Sequence, residues 1–351
     1  MRARAAVLSA FAAAFLAASA ALFFKSGKPV PAGADEFGLV RTVKAGEFVT
    51  DVMVSDGGVY AACDNSKVAK FDLSGRLLWE RRLENFEISS KLGAAGGAVL
   101  AASDEGEVVA LSGADGSFLW KFTAGDKVCG GFAEHGGLVV FAAFDGGIYA
   151  LSASDGRKAF SVKTSDAVNG GCALAGGRAV FGNCAGDVVC VDLDAGKAAW
   201  EAKFGSHIPA SPVACGGYAA VSDYSGDVAA YSFSSGEKLW EASLGASPRT
   251  QPAAFMDMLA FVDSGGTLRL AGPAGDAREA AFFGEPAAFL KADSGELMAA
   301  LKDGRIFVFR GREARRVFSA DVSMTLECAD FSGGCIAAGD SDGGIHIYKR
   351  M

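Results

Sequence analysis

The sequence predicts an all-β protein, an eight-bladed β-propeller built of four-stranded antiparallel blades. The first observation behind this prediction is a set of large aromatic residues that recur about every 40 residues, namely Trp79, Trp120, Phe160, Trp200 and Trp240. The second is a small residue with the same period, at positions 66, 106, 146, 186, 226, 266, 304 and 343, all of which are Gly except Ser66. A fixed period of this length, with strand-like runs between turns, is typical of one propeller blade per repeat.

Each repeat contains four short runs of β-branched and aromatic residues, separated by turns that contain Gly. In the third repeat these runs lie at 128–132, 138–144, 147–153 and 157–164, and we label them strands A to D of a blade. The connection between strands B and C is predicted to be a two-residue hairpin with Gly in second place, because such turns need positive φ. Another Gly lies in the C–D turn, four residues before the recurring aromatic residue.

The recurring aromatic residues are predicted to pack between neighbouring blades. Burial of about 200 Å² of each side chain would contribute on the order of 5 kcal/mol before entropy is counted. The same spacing places Glu279 in blade 6 and Arg315 in blade 7. We therefore expect the interblade aromatic residue to be missing from these two blades, and we predict them to be the least regular part of the ring.

The eighth repeat supplies only three strands, and a separate strand-like stretch at residues 38–44 precedes the first blade. Pairing this stretch with strand C of blade 8 would close the ring and remove an exposed sheet edge. The predicted propeller therefore comprises residues 37–351, and a polar linker at 25–36 precedes it.

The first 24 residues are expected to be an export segment, because two arginines precede an uncharged run over residues 5–24. The small residues Ala18-Ser19-Ala20 fit the cleavage site of a signal peptide. Yet 20 apolar residues in a helix would span about 30 Å, enough to anchor the chain in a bilayer. Signal peptide and signal anchor both stay open. Either predicts a bacterial extracytoplasmic location, in the periplasm or membrane-anchored and facing it.

Composition argues against several classes of protein. Half of the residues are hydrophobic, which excludes a disordered chain, and the net charge of −8 argues against a nucleic-acid partner. The eight cysteines form no C-x-x-C motif, so neither a zinc knuckle nor a thioredoxin-type redox motif is present. Their disulfide pairing stays open, and we expect most of them to be small buried residues in strands.

Several repeats resemble a known family. The segments AGDVVCVDLDAGKAAW (185–200) and SGDVAAYSFSSGEKLW (225–240) are similar to the pyrroloquinoline-quinone-type (PQQ-like) propeller repeat. Eight such repeats behind an export segment resemble the BamB family of scaffolds in outer-membrane β-barrel assembly. That family is usually lipid-anchored through a Cys after its signal, whereas no Cys precedes Cys63 here. The resemblance implies a non-catalytic scaffold without a cofactor, whose protein partner lies in the cell envelope.

Two alternatives stay open. The same repeat builds quinone-dependent dehydrogenases, but many of these carry adjacent cysteines over the cofactor, and no two are adjacent here. His135, His207 and His346 fall in different blades, so they form neither a metal site nor a catalytic constellation. We therefore expect no enzyme activity and no metal. The second alternative is a ligand-sensing ectodomain that residues 5–24 anchor in the membrane.

One face of the predicted ring is the candidate partner-binding site. In a four-stranded meander the B–C and D–A loops share a face, and acidic residues are concentrated in these loops. An acidic rim would steer a basic partner surface, although Asp also favours turns and solubility. We expect a monomer, with these candidate rim residues: Asp126, Asp145, Asp166, Asp187, His207, Asp227, Arg249 and Asp303.

Overall fold

A computed structural model describes residues 36–243 and 251–351, and these residues form 32 β-strands and no helix. The strands pair into eight four-stranded antiparallel sheets, each of which is one blade. Seven blades are built from four consecutive strands, and the eighth combines the first strand with the last three. The predicted eight-bladed propeller is confirmed. Within the described ranges there is accordingly no helical segment that could span a membrane.

The first strand, β1, is Phe37–Lys44, and it belongs to blade 8. The strands of blades 1 to 4 are β2 Val49–Ser55, β3 Gly58–Cys63, β4 Lys67–Asp72 and β5 Leu77–Arg82; β6 Gly93–Ala95, β7 Ala98–Ala102, β8 Glu107–Ser112 and β9 Phe118–Thr123; β10 Ala133–His135, β11 Leu138–Ala142, β12 Gly147–Ser152 and β13 Lys158–Lys163; β14 Ala173–Ala175, β15 Arg178–Gly182, β16 Asp187–Asp192 and β17 Lys197–Lys203.

The strands of blades 5 to 8 are β18 Val213–Cys215, β19 Tyr218–Ser222, β20 Asp227–Ser232 and β21 Lys238–Ser243; β22 Ala253–Phe255, β23 Met258–Val262, β24 Thr267–Ala271 and β25 Ala277–Phe282; β26 Ala287–Asp293, β27 Glu296–Leu301, β28 Arg305–Arg310 and β29 Arg315–Asp321; β30 Leu326–Ser332, β31 Cys335–Asp340 and β32 Gly344–Arg350. The A strands of neighbouring blades pack against one another around the centre, and the D strands form the outer edge.

The hydrophobic core lies between blades. In the cluster between blades 2 and 3, Leu100 and Trp120 of one blade meet Phe141 and Leu151 of the other. Each sheet is therefore covered on both faces, and this explains why strands such as β7 and β19 are buried along their whole length and have continuous apolar sequences.

Strand β1 closes the ring as predicted. It pairs antiparallel with β32, from Phe37 opposite Arg350 to Lys44 opposite Gly344. Phe37 is buried, and its ring contacts Phe318 of blade 7. The closing strand is thus fixed both by backbone pairing and by core packing.

Side-chain hydrogen bonds reinforce this closure at two places. His346 in β32 bonds through Nε2 to the buried carboxylate of Asp340 at 2.8 Å and through Nδ1 to the Thr42 hydroxyl of β1 at 3.0 Å. At the start of β1, Arg310 donates to Glu36 and to the buried Glu296. These contacts hold the strand that is most distant in sequence from its neighbours.

The two-residue hairpins are the A–B turns, and the B–C connections are longer than predicted. In blade 2, Gly96 and Gly97 both have positive φ, of 57° and 78°, which is the type I′ geometry. In the B–C connection, the Ser103 N–H donates to the Glu107 carbonyl, and three residues lie between them. Gly106 is the last of the three, with a φ of 78°. The prediction of a Gly with positive φ in the B–C connection holds, but the loop has three residues.

The recurring aromatic residues lie against the C–D turn of the next blade. A Cβ placed on Gly236 would lie 2.6 Å from the Trp200 ring, so only Gly leaves room for it. The Trp200 indole N–H also donates to the Phe233 carbonyl of that turn at 2.9 Å. The same aromatic–glycine contact recurs in four further pairs: Trp79 with Gly116, Trp120 with Gly156, Phe160 with Gly196, and Trp240 with Gly275.

The prediction of a missing aromatic residue is right for blade 6 and wrong for blade 7. In blade 6, Glu279 pairs with Arg269 and is exposed. In blade 7 the residue at the aromatic position of the register is Phe318, opposite Val308, and it is buried. The C–D turn of blade 7 has the same length as that of blade 4, but Ala314, with a φ of 49°, takes the place of the glycine four residues before the aromatic residue. Counting from Gly311 therefore pointed to Arg315 instead.

All eight cysteines are free thiols. Five of them, among them Cys63 and Cys190, are buried in strands as expected, whereas Cys129, Cys172 and Cys184 lie in partly buried loops. Burial raises the pKa of the Cys63 thiol to about 11 and that of Cys172 to about 12. These thiols therefore stay protonated at neutral pH and are poor nucleophiles.

Candidate functional site

The B–C and D–A loops lie on one face of the ring, which we call the rim face. The backbone hydrogen bonds show this directly, because the Ala124 N–H of a D–A loop donates to the carbonyl of Gly106 in a B–C turn. The equivalent bond joins Thr164 to Gly146. On the opposite face, C–D turns bond to A–B turns, as Gly113 does to Gly97. The structure therefore confirms the predicted division of the loops between the two faces.

Two of the predicted rim residues are exposed and form no ion pair within the described part of the chain. Asp126 and Asp166 occupy equivalent places in successive D–A loops. Each accepts a hydrogen bond from the backbone N–H of the next residue, at 2.7 Å from Lys127 and 2.8 Å from Ala167. The rest of each carboxylate is free to meet a partner.

Three other rim carboxylates are paired with cations of this chain. Asp187 lies 2.5 Å from the Lys203 ammonium, Asp303 lies 2.7 Å from Arg305, and Asp145 lies 3.8 Å from Lys163. Their charge is partly neutralised, so they contribute less to the field of this face than the sequence suggested. Asp227 is half-buried at the end of a B–C turn.

His207 belongs to a small aromatic patch on the rim face. Its ring stacks on Tyr224 with 5.1 Å between the centroids, and the Tyr224 side chain is exposed. The Cys184 sulfur lies 3.9 Å from His207 Nε2. The two aromatic rings are stacked beside the acidic loops, and Tyr224 is the member of this patch that the sequence analysis did not single out. Arg249, the remaining predicted rim residue, lies outside the described residues.

Buried carboxylates hold the B–C turns of blades 5, 6 and 8, although the repeat pattern alone did not point to them. Asp263 accepts hydrogen bonds from the N–H groups of Gly265 at 3.0 Å and Thr267 at 2.9 Å. Asp223 and Asp340 do the same in their own turns. The signal is an Asp three residues before the Gly of the turn, and these residues orient the rim loops without facing a partner.

The centre of the ring encloses a channel of about 540 Å³ that residues from all eight blades line. Its polar side chains come mostly from the blades on either side of the ring closure. Asp330 of blade 8 accepts the Val54 N–H of blade 1 at 2.8 Å and pairs with Lys291 of blade 7 at 2.9 Å. Asp51 of blade 1 accepts the Leu92 N–H of blade 2 at 2.7 Å. These carboxylates therefore tie four successive blades together along the channel wall.

Asp51 lies in a position that is unfavourable for its charge. Burial raises the pKa of its carboxyl to about 6, against the opposing effects of the Leu92 hydrogen bond and the nearby Lys91 ammonium. Part of its charge is therefore lost in mildly acidic solution.

On the opposite side of the channel, backbone packs against backbone. A Cβ on Gly130 would lie 2.5 Å from the Gly170 carbonyl carbon, and one on Gly170 would lie 2.7 Å from the Ser211 nitrogen. The Ser211 hydroxyl accepts the Gly171 N–H at 2.7 Å. Small residues here let the D–A loops of blades 3 to 5 approach one another closely.

The arrangement offers a surface that could contact a partner. Among residues 36–243 and 251–351, no three His, Cys, Asp or Glu side chains are placed to hold a metal ion. The three histidines lie apart: His135 is near Asp194, His207 stacks on Tyr224, and His346 serves the ring closure. What the rim face presents is exposed carboxylates beside an exposed aromatic ring.

Known proteins with the same fold, and one matching family model, are similar to this chain. A family model described as outer membrane protein assembly factor BamB matches residues 64–270, more than half of the chain. The solved structure of BamB from Moraxella catarrhalis is similar at 15% identity and a TM-score of 0.73, covering 89% of this chain and 97% of that one. No curated protein sequence matches the chain.

Two other solved structures show how widely this fold is shared. The computationally designed Ika8 protein is similar at 15% identity and a TM-score of 0.75, covering 87% of this chain and 97% of that one. Sqt1 of Saccharomyces cerevisiae is similar at 13% identity and a TM-score of 0.71, covering 87% and 96%. At such identities, structural likeness shows the fold alone.

The family match spans the repeats that carry the PQQ-like pattern, and the ring contains the eight blades that the pattern predicts. A BamB-type propeller supports a general role as a protein-interaction scaffold. The chain belongs to the family of the outer membrane protein assembly factor BamB.

Proposed function

We propose that this protein is a non-catalytic scaffold of the bacterial cell envelope that takes part in outer-membrane β-barrel assembly and presents its rim face to a basic surface of a protein partner. The observation that carries the proposal is the placement of Asp126 and Asp166 in equivalent, exposed loops of one face. The family match supports the assembly role and an extracytoplasmic location. The propeller acts as a monomer in this proposal.

The channel supports a scaffold better than a quinoprotein enzyme. Pyrroloquinoline quinone carries three carboxylates, so a site for it must supply unpaired cations. The described channel wall offers Lys91 and Lys291, and Lys291 is already paired with Asp330. Asp51 adds a further carboxylate, so the lining residues within 36–243 and 251–351 do not fit this cofactor.

Charge reversal on the rim tests the proposal. The variant Asp126→Lys with Asp166→Lys should lose the crosslinks that the native protein forms in cells with a β-barrel assembly protein, because it replaces attraction to a basic surface with repulsion. The matched control reverses two exposed acids on the opposite face, Glu237→Lys with Glu313→Lys. Crosslinking followed by mass spectrometry measures both. If both variants keep the same crosslinks, the rim face is not the binding surface.

A further inference from the structure

Three adjacent blades carry pairs of exposed apolar residues at the beginning of their outer strands. We call this set the apolar edge, and its side chains are 42 to 55% exposed: Leu39 and Val40 in blade 8, Leu77 and Leu78 in blade 1, and Phe118 and Leu119 in blade 2. These pairs lie on the outer strands of neighbouring blades, and exposed apolar residues grouped in this way mark an interaction site more often than scattered single residues do.

The register explains why two successive residues are exposed on each strand. A bulge follows the first residue of each pair, as between Leu39 and Arg41 in the pairing of β1 with β32. The bulge gives both side chains of the pair access to solvent. The equivalent positions in blades 3 and 4 are Lys158-Ala159 and Ala198-Ala199, so the large apolar pairs are confined to blades 8, 1 and 2.

The same three outer strands are basic in an acidic protein. Together β1, β5 and β9 carry five Lys or Arg residues and one Glu, whereas the whole chain has a net charge of −8. Arg41, Arg81 and Arg82 form no ion pair within the described residues. On β5, the arginines lie four residues beyond the leucines, about 13 Å along the strand.

A groove between blades 1 and 2 joins these two features. It has a volume of about 620 Å³, and Phe118 lines it together with Arg81 and Arg82, while Lys121 pairs there with Glu107 and Glu84 adds a second carboxylate. Apolar groups at one level and cations a short distance away are the pattern of a surface that rests in the interfacial region of an anionic bilayer.

The chain enters the propeller at the same end of these strands. Glu36 bonds to Arg310 at the C–D side of blade 7, and Phe37 then begins β1. In the sequence, the uncharged run at 5–24 is joined to this point by residues 25–36. Twelve extended residues span at most about 40 Å. A membrane that holds the run at 5–24, if it stays as an anchor, is therefore within reach of the apolar edge.

We propose that the apolar edge of blades 8, 1 and 2 docks on an anionic lipid bilayer, with the leucines, Val40 and Phe118 at the acyl boundary and Arg41, Arg81 and Arg82 at the level of the headgroup phosphates. This inference concerns the lipid surface, and it is independent of the protein partner proposed for the rim face.

Hydrogen exchange of the full chain tests the docking. The protein is reconstituted into phosphatidylcholine vesicles with and without 25% phosphatidylglycerol, and exchange is followed in peptides covering 37–44, 77–82 and 118–123. We expect exchange there to slow about tenfold in the anionic vesicles, while the outer strands at 197–203 and 238–243 do not change. No vesicle contains a protein partner, so failure here would leave the proposed scaffold role untouched.

Two pairs of variants sharpen the result. Leu77→Ser with Phe118→Ser, and separately Arg81→Gln with Arg82→Gln, should abolish the lipid-dependent slowing. The matched controls are Leu239→Ser, an equally exposed leucine on an outer strand of blade 5, and Lys158→Gln with Lys197→Gln. Because all these side chains are exposed, the thermal melts should match that of the native chain.

Three outcomes would overturn the proposal. The first is equal exchange at the apolar edge in both kinds of vesicle. The second is slowing that the Leu77 and Arg81 variants retain. The third is slowing that needs no lipid and increases with protein concentration, which would instead identify a second copy of this chain as the occupant.

Discussion

Single glycines decide how closely neighbouring blades approach. Gly236 faces the Trp200 ring and Gly116 faces the Trp79 ring, and neither position has room for a Cβ. The two periodicities of the sequence, aromatic and glycine, are therefore two halves of one contact that joins successive blades.

Alanine substitutions at two glycines should distinguish the loss of stability caused by a clash with the Trp ring from the loss caused by positive φ alone. Gly236→Ala is expected to lower the free energy of unfolding by about 3 kcal/mol, because the new methyl group meets the Trp200 ring and φ is positive. Gly217→Ala is the control, since φ is also positive there but no atom lies within 4 Å. It should cost only about 1 kcal/mol. Urea unfolding measures both, and equal losses would contradict the contact.

A single carboxylate should give the fold a measurable pH dependence. The pKa of Asp51 is raised by burial to about 6 from 3.8, so its charged form is penalised in the folded state. This penalty is present above pH 6, falls as the pH drops, and is absent below about pH 4. A shift of two units corresponds to about 3 kcal/mol, reduced here because the side chain is partly open to the channel.

The variant Asp51→Asn keeps an acceptor for the Leu92 N–H and removes the charge. It should raise the free energy of unfolding by about 1–2 kcal/mol at pH 7.5, with the gain vanishing near pH 4. Asp155→Asn should show the opposite sign, because hydrogen bonds from Ser152 and from the Arg157 N–H lower the pKa of Asp155. Chemical unfolding across this pH range measures the difference, and a gain independent of pH would refute the assignment.

At the scale of the element, β1 shows how one strand completes a ring. Its buried and exposed residues have different tasks: Phe37 packs on Phe318 and Phe331, whereas Leu39 faces solvent. Loop-closure entropy opposes a pairing between the two ends of the propeller. The backbone ladder, the Phe37 contacts and the Thr42–His346–Asp340 hydrogen bonds offset it together.

Truncation of Phe37 should reveal this dependence. Phe37→Ala is expected to destabilise the protein by about 3–5 kcal/mol through the cavity that it leaves. The control Leu39→Ala, two residues along the same strand and 55% exposed, should change stability by less than about 0.5 kcal/mol. Thermal and urea melts compare the two, and similar values for both would mean that β1 does not close the core.

Blade 6 lacks the interblade aromatic residue, and we predict faster hydrogen exchange there. Blade 6 places Glu279 where other blades have an aromatic residue. It also leaves the Trp240 indole N–H of blade 5 buried without a hydrogen-bond partner among the described residues. Strand β25 should therefore exchange faster than β17 or β29. Equal protection of the three strands would show that the missing aromatic residue is compensated elsewhere.

At the scale of the whole molecule, the propeller separates three surfaces. The rim face bears the exposed carboxylates of Asp126 and Asp166, the outer edge of blades 8, 1 and 2 bears apolar and basic residues, and the channel wall ties blades together. A protein partner on the rim and a lipid surface at the edge would not compete, because the apolar pairs lie at the beginning of the outer strands. This is the end of the strands away from the rim, where the chain also enters the ring.

Much of this architecture could be predicted from the sequence because similar turn and strand patterns recur in successive repeats. The period and the turn glycines predict the blade count. The separate strand-like stretch at 38–44 predicts the closure, because a sheet edge that it can pair with would otherwise be exposed. The spacing failed in blade 7, where Ala314 takes the place of the turn glycine, so that counting from Gly311 missed the aromatic residue Phe318. A count along the chain cannot tell which residue of a turn adopts the left-handed conformation when that residue is not a glycine.

The sequence by itself determined the fold, the family and the face on which the acidic loops lie. Only the tertiary structure decided which of these acids are available, because Asp187 and Asp303 meet cations whereas Asp126 and Asp166 do not. It also decided that Asp51 is held in a poorly solvated place and that leucines of three distant segments form one edge. Charge, solvation and contiguity depend on neighbours in space, and these residues come from strands that are tens to hundreds of positions apart.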